Sequence, residues 1–413
     1  MSQEKFAERI RITEQAIRHE EADRIPIWCQ YGNTPFELSG GAVSYRDSMY
    51  DHEKAAAEII KFHQDFQPDA QLANMVSGRV EEIAETAVLD WPGRPGTSVP
   101  DNCIYQTLEP ELMAEDEYDE LFSDLTGFLL HKYIPRAFPG LAGLGKILNP
   151  APTGYMYFGQ MRSLMDPDVI DACKKLIEIS EANNECQAAI KKLQGTLFGM
   201  GFPPLMTGVG LVPYDTLSNY FRHTVDTFED LMFQPENVER AVNLFADLQI
   251  KNLQYFRFAD MPVKRVMFWM HKGMDGFMNP EQFERFYWTP FLKVVNALVD
   301  MGVTPVIYTE GPYETRLDQM VGLPAGKCVV HFEKVDLQRA KDTVGKDSCI
   351  TANFPIYLLE YGTVQQVVDE AKRQIDIGAP GGGFIFETNA SIANVKRENL
   401  EALYDTVREY GRK

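Results

Sequence analysis

Glu310 and His331 are the residues of this chain whose type and spacing speak most directly of chemistry. Each closes a short apolar run, residues 306–308 and 328–330, inside VTPVIYTEGPYETRLDQMVGLPAGKCVVHFE (residues 303–333). Between the runs lies one helix-length segment, 314–321, closed by Gly322 and Pro324. Strand, helix and strand in that length make a βαβ unit with parallel strands. Both residues are then expected at the carboxyl ends of neighbouring strands, the edge where barrel and doubly wound enzymes keep their chemistry. A glutamate there is a metal ligand, an acid/base group or a cap for the next helix. A histidine there is a ligand or a satisfied core residue. Together they are ordinary zinc donors, but two ligands do not make a site. His271 is the third candidate: it ends the run VMFWM and opens HKGMDGFMNP. Asp275 in that loop can orient a histidine ring, bind metal itself, or merely turn the chain with Gly276. Glu387 competes for the third ligand position as well.

Aromatic and methionine side chains crowd the same expected rim: Trp28, Tyr31, Tyr155, Met156, Tyr157, Phe158, Met200, Phe202, Trp269, Met270 and Tyr308. Most are core by default, yet several at strand ends suit a flat, apolar ligand. The glycine run 381–383 precedes a strand and lacks the helix N-terminus that phosphate binding needs, so it reads as a turn. The chain contains no nucleophile elbow, P-loop or dinucleotide fingerprint.

The elements that must position these residues are most regular in the second half. Strands over 265–270, 306–308, 328–331, 348–352 and 383–386 each precede a helix: 280–301, 314–321, 337–344, 364–377 and 397–410. Earlier, strands over 25–30, 69–73 and 197–201 accompany helices over 6–19, 53–66, 166–193, 214–223 and 235–258. Eight strands in this alternation predict a (β/α)8 barrel with an N-terminal helix. Residues 79–165 break the period with a turn-rich stretch, an acidic helical piece over 109–133 and a loop over 141–150. They read as a large insertion between strands 2 and 3, placed to act as a lid on a single domain covering 1–413.

The chain has 413 residues, is 45% hydrophobic and 24% charged, and carries a net charge of −20. That composition fills a large globular core. The acidic balance makes nucleic acid and anionic membranes poor partners. No apolar run is long enough to span a bilayer and the N-terminus lacks a signal-peptide core, so a cytoplasmic protein is expected. Six cysteines, none in a CxxC pair, read as buried thiols in a reducing compartment.

The order of segments resembles the uroporphyrinogen decarboxylase-like superfamily, whose (β/α)8 barrel serves decarboxylases and corrinoid-dependent methyltransferases. The likeness is carried by YQTLEPELMAEDEYDELFSD, HKGMDGFMNPEQFERFYWTPFLK, YTEGPYETRLDQMVGLPAGK, GTVQQVV and GGGFIFETN, spread over residues 102–410. Decarboxylases of this kind carry arginines after the first strand and an aspartate after the second. Here those places read IPIWCQYGNTPF and DAQLANMVSG, with no arginine in the first and Asn74 and Met75 in the second. The methyltransferases that activate thiols hold zinc through His-x-Cys after strand 5 and a Cys after strand 8. The matching positions here are Tyr308, Glu310 and Ala390, so the thiolate set is gone.

What the resemblance implies is an anaerobe's methyltransferase that demethylates an aryl methyl ether and passes the methyl group to the cob(I)alamin of a separate corrinoid protein. Zinc held by Glu310, His331 and His271 would act as Lewis acid on the ether oxygen. Tyr308 would donate a proton or hydrogen bond to the phenolate, or simply pack; Asp275 is the other catalytic candidate. Trp28, Tyr31, Asn74, Met200 and Trp269 would contact the arene. Other methyl donors (methylamine, methanol or a methylthiol) and decarboxylation are the alternatives. Dimers are usual in the superfamily, so the resemblance admits a homodimer, while the sequence itself leaves the oligomeric state open.

Overall fold

The computed structural model describes residues 2–73, 75–147 and 162–412. Its centre is a six-stranded parallel sheet in chain order: β3 (Gly208–Val209), β4 (Arg265–Met270), β5 (Thr304–Pro312), β6 (Val329–Lys334), β7 (Cys349–Thr351) and β8 (Phe384–Ile385). Two further extended stretches close the ring. Trp28 N donates to Phe386 O at 2.9 Å and Phe386 N to Pro26 O at 2.8 Å, which joins residues 26–28 to the β8 edge. Asp69 N donates to Ile27 O at 2.7 Å, Gln71 N to Pro203 O at 2.8 Å and Leu205 N to Gln71 O at 2.9 Å, which joins residues 69–71 to the approach to β3. Eight stations in a closed parallel ring make the (β/α)8 barrel that the alternation predicts. Pro26 stands in the first of these stretches, Pro68 borders the second, and Pro203 and Pro204 lie on the approach to the third; proline cannot donate to a ladder, so the ladders there are short.

Side chains alternate between the barrel interior and the surrounding helices. Trp28, Ala70, Leu205, Met267, Val306, Tyr308, Val329, Cys349 and Ile385 pack together inside. Phe268, Ile307, Val330, Phe332 and Ile350 belong instead to the larger core beneath the helices. Helix Ser2–Ile17 plugs the amino-terminal mouth: Ala16 and Ile17 join the interior cluster, and Glu14 pairs with the buried Arg265 at 2.8 Å. The carboxyl-terminal mouth is the end left for a ligand.

Four expectations need correction. Residues 197–201 are not a strand: helix Pro167–Gly199 runs through without a proline until Pro203, and the third strand lies beyond, at β3. Segment 314–321 is not a full helix but a single 3-10 turn, Glu314–Arg316. The buried Arg316 straps it down, donating to Gly273 O at 3.1 Å and Met278 O at 2.5 Å. The acidic piece 109–133 is broken into Tyr118–Ser123, Leu125–Phe128 and a π turn, Leu129–Tyr133, while Pro139–Lys146 is a 3-10 helix where a loop was expected. The insertion also contains a small antiparallel ribbon, β1 (Leu89–Asp90) with β2 (Gln106–Thr107). Among the described residues no helix is long and apolar enough to cross a membrane.

Candidate active site

Register decides which side chains meet. The parallel ladders align Trp269 with Tyr308 and Tyr308 with His331, and the β5–β6 ladder shifts between Thr309 and Pro312. His331 therefore lies in the layer of Tyr308, whereas Glu310 lies one layer higher, beside His271. Two layers result, separated by two residues of strand, about 7 Å.

The lower layer is a buried polar floor. Tyr308 and His331 stack at 4.3 Å between ring centres. The Tyr308 hydroxyl donates to Glu387 Oε2 at 2.6 Å, and His331 Nδ1 lies 3.5 Å from the same oxygen. His331 Nε2 meets Asn389 O at 3.1 Å and Nδ1 meets Thr351 Oγ1 at 2.7 Å. A carbonyl only accepts, so Nε2 carries a proton. Burial, and after it Glu387, hold the Tyr308 phenol well above its usual range, while Gln30 is also within hydrogen-bonding reach of it. Tyr308 is thus a neutral hydroxyl at any working pH.

The upper layer is a rim with an acid pair. His271 Nδ1 and Glu310 Oε2 are 2.7 Å apart. Burial pulls His271 down, but the Glu310 hydrogen bond and the Asp215 charge outweigh it and the net shift is upward. Asp215, in the short helix Pro213–Leu217 after β3, fixes this corner from beneath. Its carboxylate accepts from His271 N at 2.8 Å, Lys272 N at 3.0 Å and the Tyr287 hydroxyl at 2.8 Å. Burial raises Asp215 against those bonds. The insertion reaches the same corner: Glu109 lies 3.4 Å from both Lys272 Nζ and His223 Nε2 and accepts from Thr224 Oγ1 at 2.8 Å. Beyond it, Val209 and Leu211 are 49% and 37% exposed. They follow the buried Leu205 on its strand, while the backbone of Gly208 and Gly210 faces the Phe256 and Phe268 rings outside. The mouth is therefore open and apolar on that side.

The expected site residues separate accordingly. Glu310 and His271 are brought together. His331 is not with them; it is held one layer below by Thr351 and Asn389. Trp269 and Trp28 face the interior, the first half-buried and the second fully buried. Tyr31 points outward, its ring against Phe62 and His63 and its hydroxyl on Leu72 O. Met200 sits at the opposite end of the barrel, where helix Pro167–Gly199 ends; the next residue, Gly201, abuts the backbone of helix Ser2–Ile17. Asp275 holds a turn, accepting from Thr315 Oγ1 at 2.6 Å. Asn74 and the aromatic group Tyr155, Met156, Tyr157 and Phe158 lie outside the described residues. Asp215, Gln30 and Thr351 carry no motif that marks them in the sequence; Asp215 is only an acid in the first turn of the helix that follows β3.

Zinc needs donors that converge, and here they do not. Among the described residues no three His, Cys, Asp or Glu side chains are grouped to hold a metal ion. His331 has both ring nitrogens engaged. The described donors, as placed, do not make up a zinc site.

The profile of the Uroporphyrinogen decarboxylase (URO-D) family matches residues 168–410, from the helix before β3 to the last helix and more than half of the chain. The chain belongs to this family. Among solved structures, a methyltransferase from Methanosarcina mazei superposes with a TM-score of 0.60 at 14% identity, covering 96% of this chain and 97% of its own. At that identity the likeness speaks for the fold. A comparison with curated proteins finds no match. Within the URO-D family frame, the end of the first strand carries Gln30 and Tyr31 and no arginine. The family's barrel is here fitted with a buried, hydrogen-bonding floor of Tyr308, His331 and Glu387 below the His271–Glu310 rim.

Proposed function

We propose that this URO-D family member is a methyltransferase that demethylates a methoxylated aromatic and delivers the methyl group to the cob(I)alamin of a separate corrinoid protein. The observation that carries the reading is the His271–Glu310 pair at an open mouth walled by Val209, Leu211 and Trp269. An aryl methyl ether is a poor substrate because its leaving group is a phenolate. A donor poised at the ether oxygen removes that difficulty. The corrinoid partner would supply the nucleophile that accepts the methyl group. The methyl–oxygen bond breaks with both electrons going to the aryl oxygen. His271 then gives that oxygen its proton and is reloaded from solvent. Burial opposes the charged imidazole, but the Glu310 hydrogen bond and the Asp215 charge outweigh it and favour the proton-bearing form that a donor needs. The apolar wall would hold the ring, and the wide mouth leaves a path for a protein-bound corrinoid.

The test is turnover of a methoxyarene panel with chemically reduced cobalamin, following phenol release and methylcobalamin absorbance together. Equal formation of both is expected, with a fall of about 100-fold or more in His271→Gln, the usual weight of a general acid. Preference for methanol, methylamine or a methylthiol, or an unaffected His271→Gln, would overturn the reading.

A further inference from the structure

Two polar atoms on the barrel floor have no partner. Glu387 Oε1 and Trp28 Nε1 are both buried without a hydrogen bond, and each residue is only 1% exposed. The other carboxylate oxygen of Glu387 is already taken by Tyr308. Glu387 and Trp28 stand on adjoining stations, because the Trp28 and Phe386 backbones are bonded directly. Both face the interior, in the company of Tyr308. One open site is an acceptor and the other is a donor. Buried groups of this kind are rarely left unsatisfied, and where they are, a bound partner or a functional role is the usual reason.

We propose that this pair is the recognition site for a free hydroxyl on the substrate. A hydroxyl is the smallest group that donates and accepts at once: its hydrogen goes to Glu387 Oε1 and its oxygen accepts from Trp28 Nε1. The inference rests on the reading of the substrate as a methoxyarene, and it narrows that class to methoxyphenols. It also sets the ring pattern. Glu387 extends β8 and His271 extends β4, which are opposite stations in a ring of eight, and they occupy different layers. A ring whose hydroxyl reaches the floor and whose ether oxygen reaches the rim carries its oxygens at far ends, so para placement is favoured over ortho. The floor then measures substrate length, and the rim performs the chemistry.

Calorimetric binding to the whole protein separates this proposal from the methyl-transfer reading, because it needs neither corrinoid nor turnover. The ligands are 4-methoxyphenol, 2-methoxyphenol and 1,4-dimethoxybenzene, against wild type, Trp28→Phe and Glu387→Gln. Wild type should bind 4-methoxyphenol about tenfold more tightly than either of the others, the weight of a buried hydrogen bond to a charged group. That preference should shrink to about threefold or less in both variants. Two variants guard against one that folds poorly. Equal binding of all three ligands to wild type would overturn the hydroxyl site and leave the methoxyarene reading standing; the floor atoms would then be served by water. A preference that survives both substitutions would overturn it too. Absence of binding by every arene would overturn both readings.

Discussion

Asp215 is the residue whose removal tests the architecture of the rim most severely. Its carboxylate is buried and accepts three hydrogen bonds, from the amides of His271 and Lys272 and from the hydroxyl of Tyr287. In Asp215→Ala all three donors lose their acceptor. The two amides lie near the open mouth and water can partly replace the lost bonds, at about 1 kcal/mol each; the fully buried Tyr287 hydroxyl should cost about 1–2 kcal/mol. The total is about 3–4 kcal/mol, a severe loss for one residue. Asp215→Asn keeps one acceptor oxygen and relieves a buried charge, so about 1–2 kcal/mol is expected. Urea denaturation followed by tryptophan fluorescence measures both, read as a shift in midpoint at constant slope. Burial raises Asp215, so the native state holds its proton more tightly than the unfolded chain does. Its contribution is complete below the ordinary aspartate range and is lost as pH rises through the raised value. The penalty for Asp215→Asn should therefore be larger at mildly acidic pH than at pH 8. If Asp215→Ala unfolds within about 1 kcal/mol of wild type, or matches Asp215→Asn, then the carboxylate does not clamp the β4 rim and the reasoning fails.

Other outcomes follow from the same geometry. His271 is held above its ordinary value, so methyl transfer should fall as pH rises through that value; Glu310→Gln removes a half-exposed partner worth about 1 kcal/mol after solvent screening and should move the falling limb to lower pH, as a pH–rate profile or histidine NMR would show. An unmoved limb would mean that the pair does not set the acid. His63 is buried, donates Nδ1–H to Ile59 O and is pushed down to about 4, so its stabilising neutral form is present above the ordinary histidine value and lost as pH falls toward 4. Wild type should lose about 3 kcal/mol across that window by chemical denaturation, and His63→Leu should show a flatter acid limb; identical limbs would exclude His63 as the cause. Gly273→Ala places a Cβ 2.6 Å from the Tyr287 ring and 2.9 Å from the Tyr313 hydroxyl, both fully buried. Overpacking of that kind costs about 1–3 kcal/mol, and a thermal midpoint equal to wild type would show that the rings yield freely.

The barrel was legible wherever apolar runs alternate cleanly with amphipathic helices. β4 and the last helix, Arg397–Tyr410, have the bounds the periodicity predicts, and β5 to β8 are placed within a few residues. The early stations are harder: residues 27 and 71 make only single bridges and β3 is two residues long, so the apolar end of a long helix offers the stronger strand signal in the sequence. The site failed to read at the level of register. Glu310 and His331 each follow a three-residue apolar run, which makes them look equivalent. Glu310 stands two residues beyond its run, with Thr309 between, whereas His331 follows its own run directly. The ladder pairs Val306 with Val329 and Tyr308 with His331, so the two offsets add to two residues and the histidine falls one layer lower on the same face. A period of two turns such a slip into a different set of neighbours. Tyr31 was lost the same way: it is odd where Gln30 is even, and it faces the helices. Asp275 shows the opposite case: an aspartate before glycine in a loop suits chemistry or a turn with Gly276, and its carboxylate instead holds the neighbouring loop through Thr315.

The most direct measurement of the central claim is a single-turnover transfer from a methoxyphenol carrying a 13C-labelled methyl group, wild type beside His271→Gln, with reduced cobalamin in excess. Mass spectrometry of the corrinoid and chromatography of the phenol report the two halves of the reaction. The account predicts that label appears on the corrinoid one-for-one with phenol in wild type, and about 100-fold or more slowly in His271→Gln. Phenol formed without labelled corrinoid, labelled carbon dioxide released instead, or equal rates in the two proteins would contradict it.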